Sequence, residues 1–166
     1  DILDLSKIES NTMVFNITEQ PLTPLLQNIL RAQQINVPQE VELLLALPAT
    51  DTIITTDPLR LKQVINNLIN NAIKFTSKGA ITLGYRQNND QVSIFVKDTG
   101  TGIDEDKINR IFERFYKGDN FVQGTGLGLA ISHTIVEHLK GTITVTSEIG
   151  KGSHFTIQHP IKRMGY

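Results

Sequence analysis

Asp57-Pro58-Leu59-Arg60-Leu61-Lys62-Gln63-Val64-Ile65-Asn66-Asn67-Leu68-Ile69-Asn70-Asn71-Ala72-Ile73-Lys74-Phe75 is the stretch on which the fold reading turns. Aspartate followed by proline supplies an N-cap and a first-turn residue that needs no amide hydrogen, so a helix is expected from here to about Phe75. Leu61, Ile65, Leu68, Ile69 and Ala72 recur at helical spacing on one side, with Asn67, Asn71 and Lys74 opposite. One side therefore faces a core. Asparagine is a mediocre helix former, and Asn66, Asn67, Asn70 and Asn71 within so strongly patterned a helix call for a reason beyond propensity. A solvated face is one such reason. The other is chemistry: an amide oxygen can ligate Mg²⁺ when phosphates supply the rest of its shell, and Lys74 would be a point charge for a phosphate. Spacing does not separate Asn70 from Asn71 as the ligand.

Downstream, Ala80 to Arg86 and Gln91 to Asp98 alternate apolar with other residues and form a hairpin around Gln87 to Asp90. Ile103 to Arg114 reads as a short helix, Gly124 opens a helix to about Lys140, and Thr142 to Glu148 with His154 to His159 make a closing hairpin. Upstream, Asp1 to Ser10 carries a narrow stripe of Ile2, Leu5 and Ile8, suited to packing against another helix. Met13 to Thr18 reads as a strand, a helix follows from Pro21 or Pro24 to about Gln34, and Val41 to Leu47 and Thr52 to Thr56 read as strands. Helices set between antiparallel strand pairs argue for an α+β sandwich: a mixed, mostly antiparallel sheet with its helices on one face.

The bulk properties exclude several function classes. A chain of 166 residues suits one globular domain. A formal net charge of -1 and the lack of a basic cluster among aromatics argue against nucleic acid as a partner. No cysteine is present, which removes disulfides and Cys-based zinc sites and fits a reducing cytoplasm. The most apolar run, Val41 to Pro48, is far shorter than the roughly 20 residues of a membrane helix, so no membrane contact is expected of this chain. It opens on Asp1 with no basic-then-apolar signal segment, and is expected to be an excised domain of a longer parent.

Within the strand ending at Asp98, Val92, Ile94, Val96 and Asp98 share parity, so the carboxylate points to the apolar side. A buried carboxylate needs a donor, and an adenine amino group is one, whereas guanine presents an acceptor at that position. Gly100 and Gly102 would permit close backbone approach to a flat ring. A simple Asp-Thr-Gly turn at a strand end is the other reading of the same residues, and for this stretch alone the more common one. Gly124-Thr125-Gly126-Leu127-Gly128 precedes a helix whose first amides could meet phosphate oxygens. Polar residues rather than a strand lead into it, which argues strongly against a dinucleotide loop, and no Gly-Lys-Ser/Thr ends it, so a Walker loop fails too.

In order, Asp57-x-x-Arg60-Leu61 with Asn67 to Thr76, Asp98-Thr99-Gly100-Thr101-Gly102-Ile103, Ile111 to Tyr116, and Gly124 to Ile131 resemble the asparagine box, first glycine box, phenylalanine box and second glycine box of histidine kinases. Ser147-Glu148-x-Gly150-Lys151-Gly152-Ser153-x-Phe155 resembles the family's last glycine box, and Asp4-Leu5-Ser6-Lys7-Ile8-Glu9 is similar to the end of its dimerisation helix. The resemblance implies the Bergerat fold, an α/β sandwich holding ATP under a lid, with residues 1–10 ending the dimerisation helix and 11–166 forming the ATP-binding catalytic domain. It implies Asn71 as the Mg²⁺ ligand, Asn67 and Lys74 near the phosphates, and Asp98 on the adenine amino group. Gly100, Gly102 and Ile103 would line the base. Tyr116, Lys117, Gly124, Thr125, Gly126, Leu127, Gly128 and Leu129 would belong to the lid and phosphate loop. Lys117 stands where the family often carries an arginine near the γ-phosphate, keeping the charge without the planar fork.

In related ATPases of this fold the residue four before the metal-binding asparagine is a glutamate that activates water. Here it is Asn67, which has no useful basicity near neutral pH. Phosphoryl transfer to an acceptor on another domain fits better than hydrolysis. The four histidines, His133, His138, His154 and His159, lie in no acceptor-like setting and read as packing or surface residues. The implied partners are ATP, a histidine-bearing dimerisation domain of a homodimeric parent, and a response regulator. The implied location is the cytoplasm, and an inner-membrane anchor elsewhere in the parent is compatible with it. A nucleotide-sensing regulatory module and a serine or protein kinase of the same fold are the alternatives.

Overall fold

The structure is a computed structural model, and it describes residues 2–114 and 127–162. The helix that decides the fold, α3, runs Pro58–Phe75. Its N-cap is Asp57, whose Oδ1 accepts from the Leu59 and Arg60 amides, both at 3.1 Å. The cap is buried, and its Oδ2 also takes the Asn16 amide at 2.9 Å. One carboxylate thus satisfies two orphan donors of the first turn and anchors the incoming chain. Leu61, Val64, Ile65, Leu68, Ile69 and Ala72 are its buried residues, as the apolar stripe requires.

Preceding it are α1 (Ile2–Glu9), β1 (Thr18–Pro21), α2 (Leu22–Gln33), a short 3-10 turn at Gln34–Asn36, β2 (Val41–Ala46) and β3 (Ile53–Thr56). Following it are β4 (Gly79–Asn88), β5 (Gln91–Asp98), α4 (Glu105–Ile108), α5 (Gly128–His138), β6 (Thr142–Glu148) and β7 (Gly152–Pro160). The main sheet has the order β2-β4-β5-β7-β6, with β2 parallel to β4 and every other pair antiparallel; β1 and β3 form a separate pair. The helices pack on one face, where Ile81, Leu83, Val92, Ile94, Val96 and Ile157 meet the apolar sides of α2, α3 and α5 in one core. This is the α+β sandwich expected from the sequence.

Two elements differ from expectation. Met13 to Ile17 has the alternating burial of a strand, with Met13, Phe15 and Ile17 packed on the core, yet finds no strand neighbour. The pairing falls on Thr18–Pro21 instead, opposite Ile53–Thr56. The helix expected over Ile103 to Arg114 covers only Glu105–Ile108. Beyond it the amides of Arg110 and Glu113 bond three residues back, to Lys107 and Arg110, so the chain closes tight turns while Ile111 enters the core.

The α1 helix lies against the domain through Leu5 and Ile8. Asp4 reaches α3, receiving Gln63 Nε2 at 2.8 Å and Arg60 at 3.4 Å, and Glu9 pairs with Arg114 at 2.6 Å. Ile2 and Leu3 remain exposed, so the stripe read from sequence is divided between this domain and solvent. No helix among the described residues is long and apolar enough to cross a membrane.

Candidate functional site

The polar side of α3 is sorted by its neighbours. Gln33 on α2, itself buried, donates from Nε2 to Asn66 Oδ1 at 2.9 Å and to Asn70 Oδ1 at 3.3 Å. Asn66 and Asn70 are thereby committed to packing α3 on α2. Asn67 turns toward α5, donating from Nδ2 to the Ser132 hydroxyl at 3.1 Å and to the Gly128 carbonyl at 3.3 Å. Asn71 is half-buried and makes no hydrogen bond to another described residue. The Asn70 oxygen already accepts from Gln33, whereas Asn71 has no such partner among the described residues. Lys74 is exposed one turn on.

Asp98 ends β5 and is 6% exposed. Its Oδ1 accepts the Gly100 amide at 2.9 Å and the Ser153 amide at 3.2 Å, and Oδ2 has no hydrogen bond from a described residue. Burial raises its carboxyl above the ordinary range, outweighing the two backbone donors. An acceptor oxygen left open in a buried setting is chemically suited to an amino donor from a ligand.

Gly100 and Gly102 are required to be glycine by the protein's own packing. A Cβ at Gly100 would collide with the Phe75 carbonyl at the end of α3, and at Gly102, where φ is +76°, with the Glu148 carbonyl. The protein's own backbone approaches closely there. The same loop is tied down by the Thr101 amide to Phe75 O at 3.0 Å, Gly150 N to Thr101 O at 2.9 Å and Ile103 N to Ser147 Oγ at 2.7 Å. The segment after Asp98 is thus held by α3, β6 and the β6–β7 turn together.

At the start of α5, Leu127 and Leu129 are buried, so only their backbone could face a ligand. Gly128 lies against Asn67, a Cβ there coming within 3.8 Å of its Cγ. Tyr116, Lys117, Gly124, Thr125 and Gly126, expected in the lid and phosphate loop, lie outside the described residues. The structure thus brings Asn67 and Gly128 together and sets Asp98 beside the glycine loop that closes on the C-terminal end of α3. Sequence reasoning assigned no role to Ser132, Ser153 or Gln33. Ser153 lay within a quoted motif; Ser132 and Gln33 are marked by no motif, and their partners are distant in sequence.

A family model described as histidine kinase-, DNA gyrase B-, and HSP90-like ATPase matches residues 56–163. The sensor histidine kinase RcsC of Escherichia coli is 40% identical over 97% of this chain, which spans 18% of that protein. The aerobic respiration control sensor protein ArcB of Escherichia coli is 37% identical over 95% of the chain, which spans 21% of it. The chain therefore covers about a fifth of these relatives. Among solved structures, full-length ShkA in complex with AMPPNP superposes with a TM-score of 0.89 at 27% identity, over 99% of this chain and 35% of that one. The catalytic domain of histidine kinase ThkA in nucleotide-free form gives 0.80 at 26% identity, over 90% of this chain and all of that one. The match to the family model, covering most of the chain and both ends of the candidate site, makes this a histidine kinase-like ATPase domain of the histidine kinase, gyrase B and HSP90 family.

Proposed function

We propose that this domain binds ATP with Mg²⁺ and donates the γ-phosphoryl group to a histidine on a separate dimerisation domain of a cytoplasmically facing sensor kinase, with a response regulator downstream. The observation that carries the reading is Asn67. The helix α3 contains no acidic residue from Pro58 to Phe75, and Asn67 is an amide already bonded to Ser132 and Gly128. It cannot take a proton from water near neutral pH. A neutral imidazole attacks with its own lone pair. The N–P bond forms as the bond from Pγ to the ADP oxygen breaks, and no base on this domain is needed to start the step. What the domain contributes is position and charge.

In this reading Asp98 Oδ2 accepts from the adenine amino group, Lys74 and the first amides of α5 meet phosphate oxygens, and Asn71 offers its amide oxygen to the metal. A single amide oxygen suits Mg²⁺, which keeps water and substrate phosphates in most of its shell. When bound, the ion neutralises charge on the β- and γ-phosphates. The α1 helix, held by Asp4 and Glu9, is read as the end of the dimerisation helix.

The test mixes the chain with ATP·Mg²⁺, alone and with a helical domain bearing an acceptor histidine. Acid-labile phosphate on that histidine, with little ADP formed by the chain alone, is expected. Rapid hydrolysis by the isolated chain overturns the reading.

A further inference from the structure

The sheet face turned away from the helices carries a cluster that nucleotide chemistry leaves unused. His154 on β7 is in register with Lys97 on β5 and Thr146 on β6. A cavity of about 310 Å³ opens beside them, lined by Lys97, Thr146, Glu148, Lys151 and His154 and reaching Asp98. It meets the candidate nucleotide site at Asp98, while Asn67, Asn71, Lys74 and Gly128 lie outside its lining. On the other side of His154 a second hollow of about 200 Å³ is bounded by Arg86 and Phe95.

The charges here do not balance. Among the described residues neither Lys97 nor Arg86 has a carboxylate within ion-pair distance, and Lys151 has only the exposed Glu148, at 3.3 Å. Burial, then the charges of Lys97 and Arg86, hold His154 below its ordinary range. Its ring meets Phe95 edge-on at 5.5 Å, over which Arg86 lies at 5.8 Å. Its Nε2 is buried with no hydrogen-bond partner. Lys97 faces His154 across β5 and β7, so a negative group held beside Lys97 would offset the charge that the imidazole meets.

We propose that this cavity binds a compact anion, a phosphate or carboxylate group, between Lys97 and Lys151 and beside the His154 ring. The Thr146 hydroxyl lies within the same lining and supplies a neutral donor. The cavity's size suits a small ligand rather than a protein segment. The anion offsets the charge of Lys97 beside the ring, so the imidazole takes up a proton at a higher pH than in its absence, burial still opposing it.

Imidazole NMR of the 166-residue chain tests this, following His154 through a pH titration as inorganic phosphate or acetate replaces chloride at constant ionic strength. A saturable rise in the His154 midpoint of about half a pH unit or more is expected with at least one of the two anions, and the anion that acts identifies the chemistry. Lys97→Gln and Lys151→Gln, both at exposed positions, should each abolish most of the response with the fold intact by amide spectra. An unchanged midpoint in both anions, or an undiminished response in both variants, overturns the proposal.

Discussion

Asn67 on α3 and Ser132 on α5 are hydrogen-bonded across the contact between their helices, amide nitrogen to hydroxyl oxygen at 3.1 Å. Ser132 is fully buried and Asn67 half-buried, so the bond replaces water on both sides. It also sets the start of α5 against α3, since the same nitrogen reaches Gly128 O. Ser132→Ala should lower unfolding free energy by about 1 kcal/mol in urea titration. Nucleotide affinity should fall a few-fold in the same variant, because Asn67 would keep only its longer bond to Gly128.

Asp98→Asn separates binding from stability. An asparagine oxygen can still accept the Gly100 and Ser153 amides, but its nitrogen would face the adenine amino group as a second donor. ATP affinity by calorimetry should drop at least about tenfold, consistent with the 1.5–3 kcal/mol of a charged hydrogen bond. Stability at neutral pH should hold or rise, because a buried charge is removed. Retained affinity would remove Asp98 from the site.

The buried histidine His159 predicts acid sensitivity. Its Nδ1 lies 2.7 Å from the Pro160 carbonyl, which can only accept, so Nδ1 carries the proton and Nε2 accepts from the Thr56 hydroxyl at 3.0 Å. Burial pushes its pKa below 6.5. The unfolded chain therefore takes up a proton first as pH falls, and stability declines below about pH 6.5, by at most about 1.4 kcal/mol per pH unit for one group. His154 acts in the same direction, chiefly through burial. His159→Gln should flatten the slope in urea titrations between pH 6.5 and about 5.

Asp57→Ala removes three hydrogen bonds at once, to Leu59, Arg60 and Asn16. The expected loss is about 1–3 kcal/mol, above an ordinary cap because the site is buried and a long-range bond goes with it. Asp57→Asn, which keeps an acceptor oxygen, should recover part of the loss. Thermal or urea denaturation reads both.

Legibility followed the range of the forces involved. The helix α3 was readable because its cap, first-turn proline and apolar spacing are all local. The β4–β5 hairpin and the inward direction of Asp98 were readable because strand parity is local too. The lone strand expected at Met13 to Thr18 was misplaced because alternation marks burial, whereas a ladder needs a partner, and that partner is Ile53–Thr56. The helix expected at Ile103 to Arg114 was too long because a shared pattern of apolar residues also suits successive turns that drop Ile111 into the core.

The sequence by itself determined the α+β architecture, the family resemblance and which residue types the site would offer, since these depend on patterning and motif order. Only the tertiary structure decided how those residues are divided. Gln33, 33 and 37 positions from Asn66 and Asn70, takes those two amides into helix packing, while Asn71 has no hydrogen bond to another described residue. Ser153, 55 positions from Asp98, occupies one carboxylate oxygen and leaves the other open. Each choice is made by a hydrogen bond between elements that meet only when the core forms, and no local propensity encodes which of two neighbouring amides a distant side chain will take.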